Sequence, residues 1–304
     1  MGIVTRDWEG KQEYTLTKGA LSLTVCPEDG MNMHSIVFEG HTVVEIQEDR
    51  RQAGKLYAVP ILYPTPNRIR NNEWTLGDQT CPAVMHGIAR YMEFQTEKVE
   101  ETEEACRIMA VCQWDEKQER FPLFPYVSQM RITMENDGRE IRFSYEITDL
   151  DHKVLPYGLA LHPFFASDRK EEIRVYAEDV MEMTEDKLPT GRLLPVSATE
   201  YDLRTGRRVT ELDLDHVYTS MGENPKAEIL YPEFKLTLNA SDEFGHMVVF
   251  TPDAPFFCLE NQTCSTDAHN MYQNGFQKES GLIQILPGES QKGWVAFQFE
   301  HRNH

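Results

Sequence analysis

Five short segments of this 304-residue chain set titratable or charged side chains beside proline, glycine or aromatic residues, where a β scaffold tends to display functional groups. They are Pro66-Asn67-Arg68-Ile69, His86-Gly87, Leu161-His162-Pro163-Phe164-Phe165, Leu214-Asp215-His216-Val217-Tyr218 and Cys258-Leu259-Glu260-Asn261-Gln262-Thr263. His162 follows the apolar Leu159-Ala160-Leu161 and precedes two phenylalanines, so partial desolvation favours its neutral ring and lowers its pKa. Glu260 ends the run Phe256-Phe257-Cys258-Leu259, too apolar for a surface strand, and a carboxylate there needs a partner or a purpose. Read singly, each residue has a structural alternative. His162 can be a hydrogen-bonded core histidine, Glu260 a salt-bridged or edge acid, Arg68 a fork between loops, and Asn67 a turn former. Asp215 can cap or turn, and His86 can simply belong to a loop.

The elements that must position these residues are strands. The dominant apolar period is two, which puts alternate side chains on one face of a sheet. Tyr14 to Thr17, a Lys18-Gly19 turn and Ala20 to Val25 read as a hairpin, and Ser35 to Phe38, Glu39-Gly40 and Thr42 to Ile46 repeat it. Further alternating runs span 91–99, 105–114, 127–134, 140–148, 234–239, 247–251 and 294–300. The expected fold is mainly β, a large antiparallel sandwich with few, short, peripheral helices. No linker or fixed-period repeat divides the chain, so 1–304 reads as a single domain, with the polar stretch Tyr201 to Asp213 as the nearest thing to a seam. Pro60 to Pro66 cannot be a central strand, because each proline removes a ladder donor. It reads as an ordered loop at a sheet edge or cleft.

Thirty basic residues against fifty acidic ones give a net charge of -20, which repels phosphate backbones and anionic lipid headgroups and argues against nucleic acid as a partner. The first residues lack the apolar run of a signal peptide, and no window approaches the roughly 20 apolar residues of a membrane span. Six cysteines without a C-x-x-C pair suggest reduced thiols rather than a zinc ribbon or redox dithiol. Together these features point to the cytoplasm.

The segments follow one another in an order that resembles the aldose 1-epimerase (galactose mutarotase-like) family, from about Leu21 to Phe299. The matching residues are Asn67-Arg68, His86-Gly87, His162-Pro163-Phe164-Phe165, Asp215-His216, Glu260 and Leu286-Pro287-Gly288-Glu289. The resemblance implies a β-sandwich of the supersandwich type with a sugar cleft across one face. It implies an isomerase that interconverts the α and β anomers of a free aldohexose, with Glu260 as general base and His162 as general acid. Arg68, His86, Asp215 and Asn67 are the implied substrate-binding residues. No cofactor or metal is implied, and the expected partner is a small sugar, with neither nucleic acid nor membrane, bound by a monomer or homodimer.

Other readings follow from the departures. The stretch from Arg68 to His86 is shorter than in typical members, and Ile88 stands where many carry a second glycine. Hexose-6-phosphate 1-epimerases are shorter relatives, and Arg70 and Arg90 are candidates for a phosphate clamp. A non-catalytic carbohydrate-binding module would not need both His162 and Glu260. A glycoside hydrolase using Glu260 and Asp215 would leave His162 without a task. Trp74 could floor the pocket or simply be packed.

Overall fold

The computed structural model describes residues 2–302, and large antiparallel sheets dominate it. The larger sheet has 13 strands, and its main path runs through Gly2–Trp8, Lys11–Lys18, Leu21–Cys26, Asn32–Phe38, His41–Val44 and Phe165–Ala166. It continues through Phe256–Gln262, His246–Phe250, Asp215–Met221, Ala177–Met183 and Pro189–Pro195. The second sheet has 9 strands, in the order Arg207–Arg208, Glu172–Val175, Ala227–Leu230, Phe234–Ala240, Ser290–His301, Glu140–Asp149, Ser128–Asn136, Cys106–Trp114 and Gln95–Glu101. Alternation is cleanest in Ser128–Asn136 and Glu140–Asp149, where every second residue is buried. Met130, Ile132, Met134, Ile141, Phe143 and Ile147 thereby meet Leu16, Leu21, Leu23 and Val25 in one apolar cluster between the sheets. Asn136, fully buried, ties the layers together by donating to the carbonyls of Leu16 and Leu21 at 3.0 and 2.9 Å.

Both expected hairpins form, and Gly2–Trp8 adds a strand before the first. The run expected from Tyr91 becomes a strand only at Gln95, because Ala89–Tyr91 is a 3₁₀ turn. The strands Glu172–Val175, Ala177–Met183, Pro189–Pro195 and Ala227–Leu230 were not expected. Ala177–Met183, for instance, shows no strict alternation of burial, so its local pattern carries no clear period. Within Pro60 to Pro66 the one strand is Ile61–Leu62, pairing with Ala160–Leu161 off the main path, and Tyr63 adds an isolated parallel bridge to Gly87. The α-helices Glu48–Gln52, Ala268–Gln273 and Gln277–Ser280 are short. Among the described residues no helix is long and apolar enough to cross a membrane. All 6 cysteines are free and buried.

Strand Phe256–Gln262 has two differently used faces. Phe257 and Leu259 point into the cluster between the sheets, whereas Phe256 and Cys258 pack outward with Leu56, Leu62, Ala160 and Phe164. The period of two therefore places Cys258, Glu260 and Gln262 together on the outer face. The same rule turns Ala160 and His162 outward, because Leu159 and Leu161 belong to the inner cluster.

Candidate active site

The outer face of the larger sheet is roofed by loops that short backbone hydrogen bonds hold in place. His162 N–H donates to Pro60 O at 3.1 Å and Phe164 N–H to Ala58 O at 2.9 Å, which seats the His-Pro-Phe-Phe segment beside the proline-rich loop. The His86 amide donates to Asn67 O at 2.9 Å, joining the Asn-Arg and His-Gly segments. Asn67 and His86 both have positive φ, 63° and 69°, and asparagine bears that conformation more easily than most residues. Gly87 has φ +74°, and a Cβ there would lie 2.2 Å from the carbonyl oxygen of Tyr63. Only glycine allows that approach.

Glu260 and His162 meet beneath this roof. Glu260 is 1% exposed and His162 6%, and His162 Nε2 lies 3.3 Å from Glu260 Oε1. The imidazole stacks on Phe164, with ring centroids 4.5 Å apart and planes 10° from parallel. The His86 ring stands edge-on to His162 at 5.5 Å. Gln262 Nε2 donates to Glu260 Oε2 at 2.9 Å, and Asn67 Nδ2 donates to Gln262 Oε1 at 2.9 Å. Arg68 pairs with Asp215 at 3.1 Å near the surface. The residues singled out in the sequence are thus linked into one cluster.

Burial sets the electrostatics. It pushes the Glu260 carboxyl well above the usual carboxylate range; nearby Asp215 adds to the rise, while the Gln262 hydrogen bond and Arg68 oppose it. Burial also holds His162 well below the usual imidazole range, helped by His86 and Arg50. His86 falls to about 3, first through burial and then through Arg68, Arg90 and Arg50. The Nδ1 atoms of His86 and His162 have no hydrogen-bond partner among the described residues. Burial thus favours the uncharged form of each group, the carboxylic acid of Glu260 and the neutral rings of His162 and His86, as a low-dielectric interior does.

Gln262, Cys258 and Arg50 were not singled out by sequence reasoning. Gln262 and Cys258 lie two residues either side of Glu260, so the strand period could have found both. Arg50 carries no such signal: its guanidinium lies 4.4 Å over Phe164 and 5.0 Å over Phe256, and Nε donates to Leu56 O. Trp74 is fully buried against Phe124, Tyr126 and His269, so it is a packed residue rather than a pocket floor. Arg70 is engaged by Asp267, and Arg90 donates to Gly54 O and lies over the Tyr91 ring. A cavity of ≈ 860 Å³ lies elsewhere, between the N-terminal hairpin and Glu93 to Thr96, and its lining contains no buried acid or base.

The family model of aldose 1-epimerases matches residues 12–298. No curated protein sequence matches the chain. A galactose mutarotase-like protein from Clostridium acetobutylicum superposes with a TM-score of 0.87 at 19% identity, covering 99% of each chain. Galactose 1-epimerase from Lactobacillus acidophilus gives 0.79 at 15% identity, and an aldose epimerase homologue from C. elegans gives 0.76 at 15%, each again covering 99% of both chains. These likenesses establish the supersandwich fold. With the family match spanning nearly the whole sequence, the chain belongs to the aldose 1-epimerase family.

Proposed function

We propose that this protein interconverts the α and β anomers of a free aldose by acid–base ring opening and reclosure, with Glu260 and His162 as the proton-transfer pair. The supporting observation is the 3.3 Å approach of His162 Nε2 to Glu260 Oε1, both buried on the loop-roofed face. Ring opening needs the C1 hydroxyl to lose a proton and the ring oxygen to gain one as the C1–O5 bond breaks and a C1 carbonyl forms. One proton shared by a carboxyl and an imidazole is enough. The proton rests on Glu260 in the neutral pair that burial favours; its movement to His162 gives carboxylate and imidazolium, from which Glu260 takes the hydroxyl proton and His162 protonates O5, restoring the neutral pair. Rotation about C1–C2 and reclosure then run the transfers backwards, giving the other anomer and regenerating the starting forms. Each transfer contributes roughly 10²- to 10⁴-fold.

Arg68, Asp215, His86 and Asn67 hold the sugar in this reading. The unpartnered Nδ1 of His86 offers a hydrogen-bonding atom to a sugar oxygen, and Arg68 supplies positive charge beside oxygens that become negative during opening. A free sugar fits better than a sugar phosphate, because Arg70 is already paired with Asp267 and Arg90 is spent on Gly54 O. We also take the chain as one functional domain.

The test is polarimetry on freshly dissolved α-glucose and α-galactose, with glucose 6-phosphate alongside. Protein should speed the decay to an unchanged endpoint, and Glu260→Gln should abolish that. Sugar binding without acceleration would replace this reading by a binding module. A marked preference for the phosphorylated sugar would overturn the free-sugar assignment.

A further inference from the structure

We propose that His162, Cys258 and Glu260 form a binding site for one thiophilic divalent cation, with zinc the best chemical match, whose occupancy switches the centre off. The switching clause rests on the reading of Glu260 and His162 as the proton-transfer pair. The cation site itself rests on geometry alone.

An imidazole nitrogen, the Cys258 sulfur and a Glu260 carboxylate oxygen all lie within 4.8 Å of one another, and all three residues are buried. Cys258 and Glu260 share the outer face of their strand, and His162 reaches them from the end of the neighbouring Ala160–Leu161 strand, which pairs with it. Tetrahedral zinc, with bonds of about 2.0–2.3 Å, holds its ligand atoms roughly 3.3–3.7 Å apart. The Nε2–Oε1 separation of 3.3 Å already has that value, and it is longer than an ordinary N–H···O hydrogen bond. The sulfur needs to close by no more than about 1 Å.

The donor set selects the ion. Nitrogen, sulfur and oxygen together suit zinc, whereas magnesium and calcium seek oxygen alone. Three protein ligands leave a fourth position for water or a sugar oxygen. The supporting contacts also fit: Gln262 holds Oε2 and leaves Oε1 free, and Phe164 fixes the plane of the His162 ring. Binding releases the thiol and carboxyl protons to solvent, and the two anionic donors balance the dication. Arg50 and Arg68 add positive charge nearby, so the thiolate is essential to this balance. A bound cation takes the lone pairs of both His162 and Glu260, so neither can transfer a proton until a chelator removes it.

The test is a cobalt(II) titration of the chelator-stripped full chain. The expected result is a thiolate-to-cobalt charge-transfer band with intense tetrahedral visible bands, saturating at one ion per chain and bleached by zinc. Because the chain has 5 other buried thiols, Cys258→Ser and Cys258→Ala are compared, with thermal melts to confirm folding. Both should lose the band and bind zinc at least about tenfold more weakly, and both should keep mutarotation in chelator while resisting zinc inhibition. Absence of the band in the wild-type chain, or its persistence in either folded variant, overturns the site. A band without zinc inhibition overturns the switch alone. Because the cobalt band needs no turnover, it also separates failure of the cation site from failure of the mutarotase reading.

Discussion

Asn67 donates a hydrogen bond to Gln262 at 2.9 Å, across 195 positions of sequence. That bond orients the Gln262 amide so that its nitrogen reaches Glu260 Oε2, which leaves Oε1 facing His162. A loop residue and a strand residue that touch neither proton-transfer atom directly thus decide how the carboxyl group is presented.

Replacing Gln262 by leucine removes the donor to Glu260 while keeping a side chain of similar size. We expect kcat to fall about tenfold or more and KM to rise by a smaller factor, because the change removes the contact that orients the carboxyl group and also deprives Asn67, a sugar-holding residue, of its partner. The bond favours the ionised carboxylate, so its loss raises the Glu260 pKa further and moves the alkaline limb of the rate profile to higher pH. Gln262→Glu is not a suitable control, since it adds a second buried acid.

Glu260→Gln should abolish activity and stabilise the fold at neutral and alkaline pH. The folded-state pKa of Glu260 is raised, so its contribution is fully present below the unfolded value of about 4.3 and is lost as pH rises. Glutamine has no such loss. Melting temperatures should therefore coincide near pH 4 and separate above it, with the variant the more stable; a constant difference across pH would contradict the buried, protonated acid.

The rate profile, measured in chelator, should be a broad bell. Its acid limb marks addition of a second proton at His162 and lies below the ordinary imidazole range, because that pKa is lowered. Its alkaline limb marks loss of the single shared proton from Glu260 and lies above the ordinary carboxylate range. These limbs belong to the coupled pair rather than to either residue alone. A narrow optimum confined between the two ordinary pKa values would exclude the single-proton scheme.

Arg68→Ala should separate binding from folding. The Arg68 and Asp215 side chains are 40% and 23% exposed, and pairs this open to solvent contribute about 1 kcal/mol or less. Urea unfolding should shift little, whereas KM for the sugar should rise about tenfold or more.

Gly87→Ala should have the opposite signature. A methyl group there would sit 2.2 Å from Tyr63 O in a backbone with φ +74°, so the His-Gly loop must move or the fold lose about 2 kcal/mol or more. A lower melting temperature together with lost activity is the expected result.

By itself, the amino-acid sequence determined the β class, both opening hairpins and the order of the segments that carry Asn67, His86, His162, Asp215 and Glu260. These are local properties: side chains alternate along a strand, and glycine or proline marks its ends. Strands such as Ala177–Met183 escaped because their alternation is broken. Tertiary structure alone decided that His162 faces Glu260, that Gln262 relays Asn67 to the carboxyl group, that Asp267 occupies Arg70 and that Cys258 stands within reach of the pair. Those relationships arise from register between strands distant in sequence and from how loops are seated over one face. Burial then sets the protonation states, through the combined desolvation of every neighbour rather than the type of any single residue.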